Sequence, residues 1–158
     1  MSESQFIPED FVTILTTLRG TGLEFVVDEE SETILSRIQE FERIQGPVKV
    51  LVEFKRKLFC VTATPSEFEK IDAKFFDRIA EFTVRVNNGL YGASSFIFDM
   101  KSGALSTRNV VEGVFCKPTI EMFLRGFYAP LLLYSRFYGA LKRVLEENAN
   151  VAEAIEQN

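Results

Sequence analysis

The sequence predicts an α+β fold built on an antiparallel sheet, and three observations carry that prediction. Val48, Val50, Val52 and Phe54 alternate with Lys49, Leu51, Glu53 and Lys55, the period-two pattern of a half-buried strand. A β-rich return, Leu58 to Ala63, follows at once. Phe96-Ile97-Phe98 runs through Lys101-Ser102-Gly103 into a second alternating stretch, 104–111, which reads as a hairpin. Between these strand pairs Phe75, Phe76, Ile79, Phe82 and Val86 fall on one side of a helix.

Each element has a local reason. Pro8 suits a first helical turn, where a missing N–H costs nothing, and Phe11, Ile14, Leu15 and Leu18 then share one face. Gly20 and Gly22 end that helix. Leu23 to Val27 is a short strand closed by Asp28-Glu29-Glu30. Residues 33–44 are ambiguous: Ile34, Ile38 and Phe41 fit a helical stripe, whereas a β-branched start and neighbouring strands suit a sheet. Gly46-Pro47 breaks the chain, Lys55-Arg56-Lys57 turns it, and Pro65 ends the returning strand.

Asp72 is placed to cap the central helix, because its carboxylate accepts an otherwise unpaired N–H of the first turn. Asn87-Asn88-Gly89 stops that helix. Leu105, Thr107, Asn109 and Val111 mark one face of the strand returning from the hairpin. Pro118-Thr119 opens a C-terminal helical region, in which Pro130 either kinks one helix or separates two. Leu133, Phe137, Leu141 and Val144 form its stripe. One domain, 1–158, accounts for the length, with a core over about 8–145 and a polar tail, 146–158, expected to fray.

Composition narrows function. Net charge is −5 without a basic stripe, which argues against nucleic acid, where such a stripe supplies most of the affinity. Lys55-Arg56-Lys57 is too short to supply one. The most apolar stretch, Phe123 to Tyr138, is interrupted by Arg125, Gly126, Pro130 and Arg136, so no membrane span is expected. Two cysteines make no disulfide framework and MSESQFIPED has no signal-peptide character, which points to a cytoplasmic, bacterial-type protein with reduced thiols.

The chain has no histidine. That removes the usual general base and the commonest metal ligand, so a Ser-His-Asp or Cys-His nucleophile cannot be assembled from it. Asp28, Glu29, Glu30 and Glu32 offer oxygen ligands, but their spacing matches no calcium loop, and no metal or cofactor is expected. Asp99 reads as the end of a hairpin strand before it reads as a catalytic acid. Cys60 reads as a small core hydrophobe, while Lys117 beside Cys116 is placed to lower that thiol's pKa. Asn87-Asn88-Gly89 and Gly92 follow a helix and precede a strand, the reverse of a phosphate loop.

The stretch RVNNGLYGASSFIFDMKSGALSTRNVVEG, 85–113, resembles the YbjN-like family of bacterial sensory transduction regulators. There a helix closes on a Val-Asn segment and a strand with aromatic residues leads through an Asp-x-x-x-Gly hairpin. Here those positions are Val86-Asn87-Asn88, Phe96 to Phe98, and Asp99 to Gly103. Two adjacent asparagines depart from the family's spacing. LFCVTATP and the helical segment Thr119 to Leu145 are also similar in character, so the likeness spans roughly 10–145.

The resemblance implies a fold similar to type III secretion chaperones: a single antiparallel sheet of about five or six strands, flanked by helices on one side, in the order α-β-β-β-β-α-β-β-α(α). Residues 33–42 then become a strand. It implies no catalytic residues. The expected function is therefore a non-enzymatic interaction, chaperone-like or regulatory module with a protein partner, itself as a homodimer included. Phe123, Phe127, Tyr134 and Tyr138 are its candidate partner surface, or else they complete the core. The alternative is a small-ligand regulator with an apolar pocket lined by Phe96, Phe98 and Met100. An enzyme is third, and would need Asp99 or the 28–32 carboxylates to meet a cation such as Arg85 or Arg108.

Overall fold

A computed structural model of the chain describes residues 24–28, 30–55, 58–90, 92–112 and 119–158. The expected helix at 8–18, the Arg56-Lys57 turn and Cys116 to Pro118 lie outside the described residues. Six strands form one antiparallel sheet: β1 Glu24–Asp28, β2 Thr33–Ile38, β3 Val48–Lys55, β4 Leu58–Pro65, β5 Ser94–Asp99 and β6 Ala104–Glu112. Their spatial order is β1-β2-β3-β4-β6-β5. Helix α1 spans Phe76–Asn88, α2 Ile120–Glu146 and α3 Val151–Glu156.

Register decides which residues share a face. Ile34 pairs with Val52, Val52 with Val61, Val61 with Asn109, and Phe96 with Thr107. Directly paired residues point the same way, so these side chains form one inner face, and the alternation at 48–54 and 105–111 belongs to it. Both long helices pack there: Phe82 of α1 meets Phe96 edge-on at 5.5 Å, and Phe123 of α2 meets Phe59 at 5.3 Å. Gly126 lets α2 approach closely, since a Cβ would lie 2.7 Å from Val111 Cγ2 and 3.1 Å from Phe59 Cε2. Residues 33–38 form a strand, against their weak helical period, because pairing with β1 and β3 places Ile34, Ser36 and Ile38 in the core.

Pro130 neither separates two helices nor ends one: α2 is a single helix with Pro130 inside it. A proline has no N–H to give the carbonyl one turn back, which here is Gly126. Asn109 of β6 supplies a substitute donor, Nδ2 to Gly126 O at 3.4 Å, and Thr107 Oγ1 donates to Pro130 O at 2.6 Å. Two polar side chains on the inner face of β6 are thus satisfied by the helix above them.

Three expectations need correction. Asp72 caps a short 3₁₀ turn, Ala73–Phe75, accepting from Lys74 N at 3.1 Å, and α1 begins only at Phe76. The tail does not fray: α3 buries Val151 and Ala154, which stand three residues apart and so face the core together. Arg143 donates to Ala154 O at 2.8 Å, and Arg78 to Asn148 Oδ1 and Ala149 O. Finally, Phe123, Phe127, Tyr134 and Tyr138 are core rather than surface, each at most 4% exposed. Their spacing of four, seven and four residues puts them on the face of α2 that the sheet covers.

Candidate functional site

An open antiparallel sheet has two edges whose outward N–H and C=O groups lack a strand partner. Among the described residues the edges are β5 and β1, and they differ. At β5 the last turn of α1 brings Asn87 alongside. Its Oδ1 accepts from Phe96 N at 2.8 Å and its Nδ2 donates to Phe96 O at 2.9 Å. One side-chain amide thus reproduces the pair of bonds that a neighbouring strand would make at that residue. The Val-Asn-Asn segment does more than stop a helix: it also satisfies the Phe96 backbone in the middle of that edge.

β1 closes the opposite side, and among the described residues no strand lies beyond it. Val26 is 69% exposed and Val27 44%. Glu24, Val26 and Asp28 point to the outer sheet face, away from the long helices, while Phe25 and Val27 point to the inner one. On the outer face Val26, Leu35 and Leu51 line up across β1, β2 and β3. Leu35 is 42% exposed, so this row is an apolar stripe running inward from the edge.

The carboxylates serve turns. Asp99 Oδ1 accepts from Lys101 N at 2.9 Å and Oδ2 from Ser102 Oγ at 2.8 Å, and these bonds hold its pKa below the usual carboxylate value. That hairpin needs Gly103, whose φ is +77° and whose Cβ, if it had one, would lie 2.8 Å from Ile71 O. Asp28 Oδ1 accepts from Glu30 N at 3.0 Å and Ser31 N at 3.2 Å, and hydrogen bonds from Ser31 lower its pKa. Arg85 is engaged by Glu81 at 2.8 Å, and Arg108 Nε by Thr62 Oγ1 at 3.4 Å. The cations suggested for Asp99 therefore have other partners.

The suggested Phe96–Phe98–Met100 pocket lining is not assembled. Phe96 packs against Phe82, Tyr134 and Phe137, Phe98 meets Phe76 edge-on at 5.0 Å, and Met100 is an exposed turn residue. Elsewhere a cleft of about 200 Å³ lies between the 3₁₀ segment and α2, lined by Phe68, Ile71, Phe75 and Leu145 with charged residues at its rim. Beside it Tyr138 donates to Glu67 Oε2 at 2.6 Å, and Lys142 bridges Glu67 and Glu146.

That cluster has a measurable pH consequence. Burial, reinforced by the bond to Glu67, pushes the Tyr138 phenol from 10.0 up to about 12. Lys142, hydrogen-bonded to Glu146 and Glu67, shifts in the same direction. The folded chain keeps a proton that the unfolded chain releases near pH 10. Stability from Tyr138 is therefore intact below that pH and drains away as pH rises towards 12. The melting temperature of Tyr138→Phe should fall less steeply than that of the parent over this range. Superimposable alkaline limbs would show that Tyr138 does not contribute.

No family model matches the chain, and no curated protein matches it. Among solved structures, a chain of the crystal structure of the ExsC-ExsE complex is similar at 16% identity and a TM-score of 0.46. The likeness covers 84% of this chain and 91% of that one. So loose a similarity says nothing of what this chain binds. Among the described residues, no helix is long and apolar enough to cross a membrane.

Proposed function

We propose that the chain is a non-enzymatic protein-interaction module, chaperone-like or regulatory in role, that takes a partner protein on the outer face of its sheet. One observation carries this reading. The outer-face row Val26, Leu35 and Leu51 is apolar and opens to solvent at Val26 and Leu35. A contiguous exposed apolar row on a sheet face marks a surface for contact with another protein. The turn roles of Asp28 and Asp99 support the non-enzymatic part. Kinship with the YbjN-like family and a cytosolic setting belong to the same proposal, supported by the 85–113 pattern and the low cysteine count.

Hydrogen–deuterium exchange of the full chain tests this, with a neutral peptide of alternating valine and threonine as the probe. Amides of residues 24–28 should exchange more slowly when the peptide is present, while those of 94–99 stay unchanged. Protection confined to β5, or none at millimolar peptide, would refute the outer face at β1 as the binding surface.

A further inference from the structure

We infer that Asn88 is a site of spontaneous deamidation, a self-modification that loosens the Asn87 clamp on β5. Asn88 is the last residue of α1, it is exposed, and Asn88-Gly89 is the single Asn-Gly pair of the sequence. An asparagine carboxamide can react with the main-chain nitrogen of the next residue, and a side chain on that residue obstructs the approach. Gly89 has none, and its backbone reaches the reactive geometry most freely. In the first step the deprotonated Gly89 nitrogen attacks Asn88 Cγ and closes a five-membered succinimide. The carboxamide nitrogen leaves as ammonia, taking the proton that Gly89 gave up. Water then opens the ring at either carbonyl. One opening leaves aspartate, and the other leaves isoaspartate, with an extra methylene in the main chain. Water is the only co-reactant, and nothing is oxidised or reduced.

The fold holds the other described amides back. Asn87 is tied twice to Phe96, and Asn109 is 6% exposed and donates to Gly126 O. Asn148 accepts from Arg78, and Asn150 accepts from Glu153 N at 3.2 Å. The folded turn also sets the rate at Asn88. Gly89 N donates to Val86 O at 3.0 Å, so attack requires the last turn of α1 to open, a low-cost event at a helix end. The two bonds from Asn87 to Phe96 hold that turn closed. The product works against them. A carboxylate at the C-terminal end of α1 opposes the helix dipole, and isoaspartate lengthens the main chain beside the clamp.

Peptide mass spectrometry of the full chain, aged in mildly alkaline buffer, tests this. The fragment holding Asn88 should gain the mass that replaces NH2 by OH, split between aspartate and isoaspartate. Gly89→Ala should slow the gain severalfold without unfolding the chain, since the added Cβ lies 3.6 Å from Val86 O, an ordinary contact. Asn87→Ala should speed it severalfold by releasing the last turn. In the aged chain, amides of 94–99 should exchange faster than in the fresh one. A native chain that stays unmodified while the urea-unfolded chain deamidates would overturn the inference. So would a gain that falls first on another asparagine, or one that Gly89→Ala leaves unchanged. Unaltered exchange at 94–99 after full conversion would overturn the link to the clamp.

Discussion

Tyr134→Ala should cost more stability than any other change named for this chain, about 3–5 kcal/mol from the emptied ring site. Tyr134 is 0% exposed and lies between elements distant in sequence. Its ring stacks on Phe68 at 5.9 Å and tilts against Phe96 at 5.2 Å, while its hydroxyl donates to Leu105 O at 2.9 Å. One side chain therefore joins α2 to the segment after β4, to β5 and to β6. Truncation leaves a cavity that close-packed neighbours cannot fully close, and it orphans the Leu105 carbonyl. In a chain of this length the melting temperature should drop by roughly 10 °C or more. Tyr134→Phe separates the two contributions, because it keeps the ring and loses only the hydrogen bond, for about 1 kcal/mol. Equal losses in both variants would mean that the hydroxyl, not ring packing, carries the site.

Asn87→Ala should have the second largest effect, with a consequence beyond stability. The substitution removes both bonds to Phe96 and bares the outward N–H and C=O of β5, at a cost of about 1–3 kcal/mol. Water can reach part of that edge, which keeps the cost below that of a fully buried orphan. An uncovered edge strand is a template for pairing with another chain, so the variant should self-associate at concentrations where the parent does not. Light scattering alongside thermal melts measures both. Asn87→Asp is the control: it keeps an acceptor for Phe96 N but puts a carboxylate oxygen against Phe96 O, so it too should fail to cover the edge. Unchanged melting and unchanged association in Asn87→Ala would show that the amide is dispensable.

The fold was largely legible and the site was not. Strands 48–55 and 104–112 follow from side chains that alternate at period two, and the β5–β6 hairpin from Asp99 with Lys101-Ser102-Gly103. Residues 33–38 misled at the level of periodicity, since Ile34, Ile38 and Phe41 suit a helix until β1 and β3 are seen on either side. The α2 aromatics were visible as a stripe, but a stripe has the same spacing whether it meets a sheet or a partner. The tail reads as polar because Val151 and Ala154 are only two residues in a charged segment. What they dock against is set by packing, in which Arg78 and Arg143 capture the adjoining carbonyls.

By itself the sequence determined the class, the strand pairs and their turns, and the absence of histidine chemistry. These depend on side-chain type and on periods spanning a few neighbours. Only the tertiary structure decided that β1 is the terminal strand among the described residues and that Asn87 satisfies Phe96 at the other edge. It alone showed that Asn109 supplies the bond Pro130 denies to Gly126. Each of these joins groups from separate elements, and a polar group's choice of partner is set by which backbone atoms the packed elements bring within about 3 Å of it.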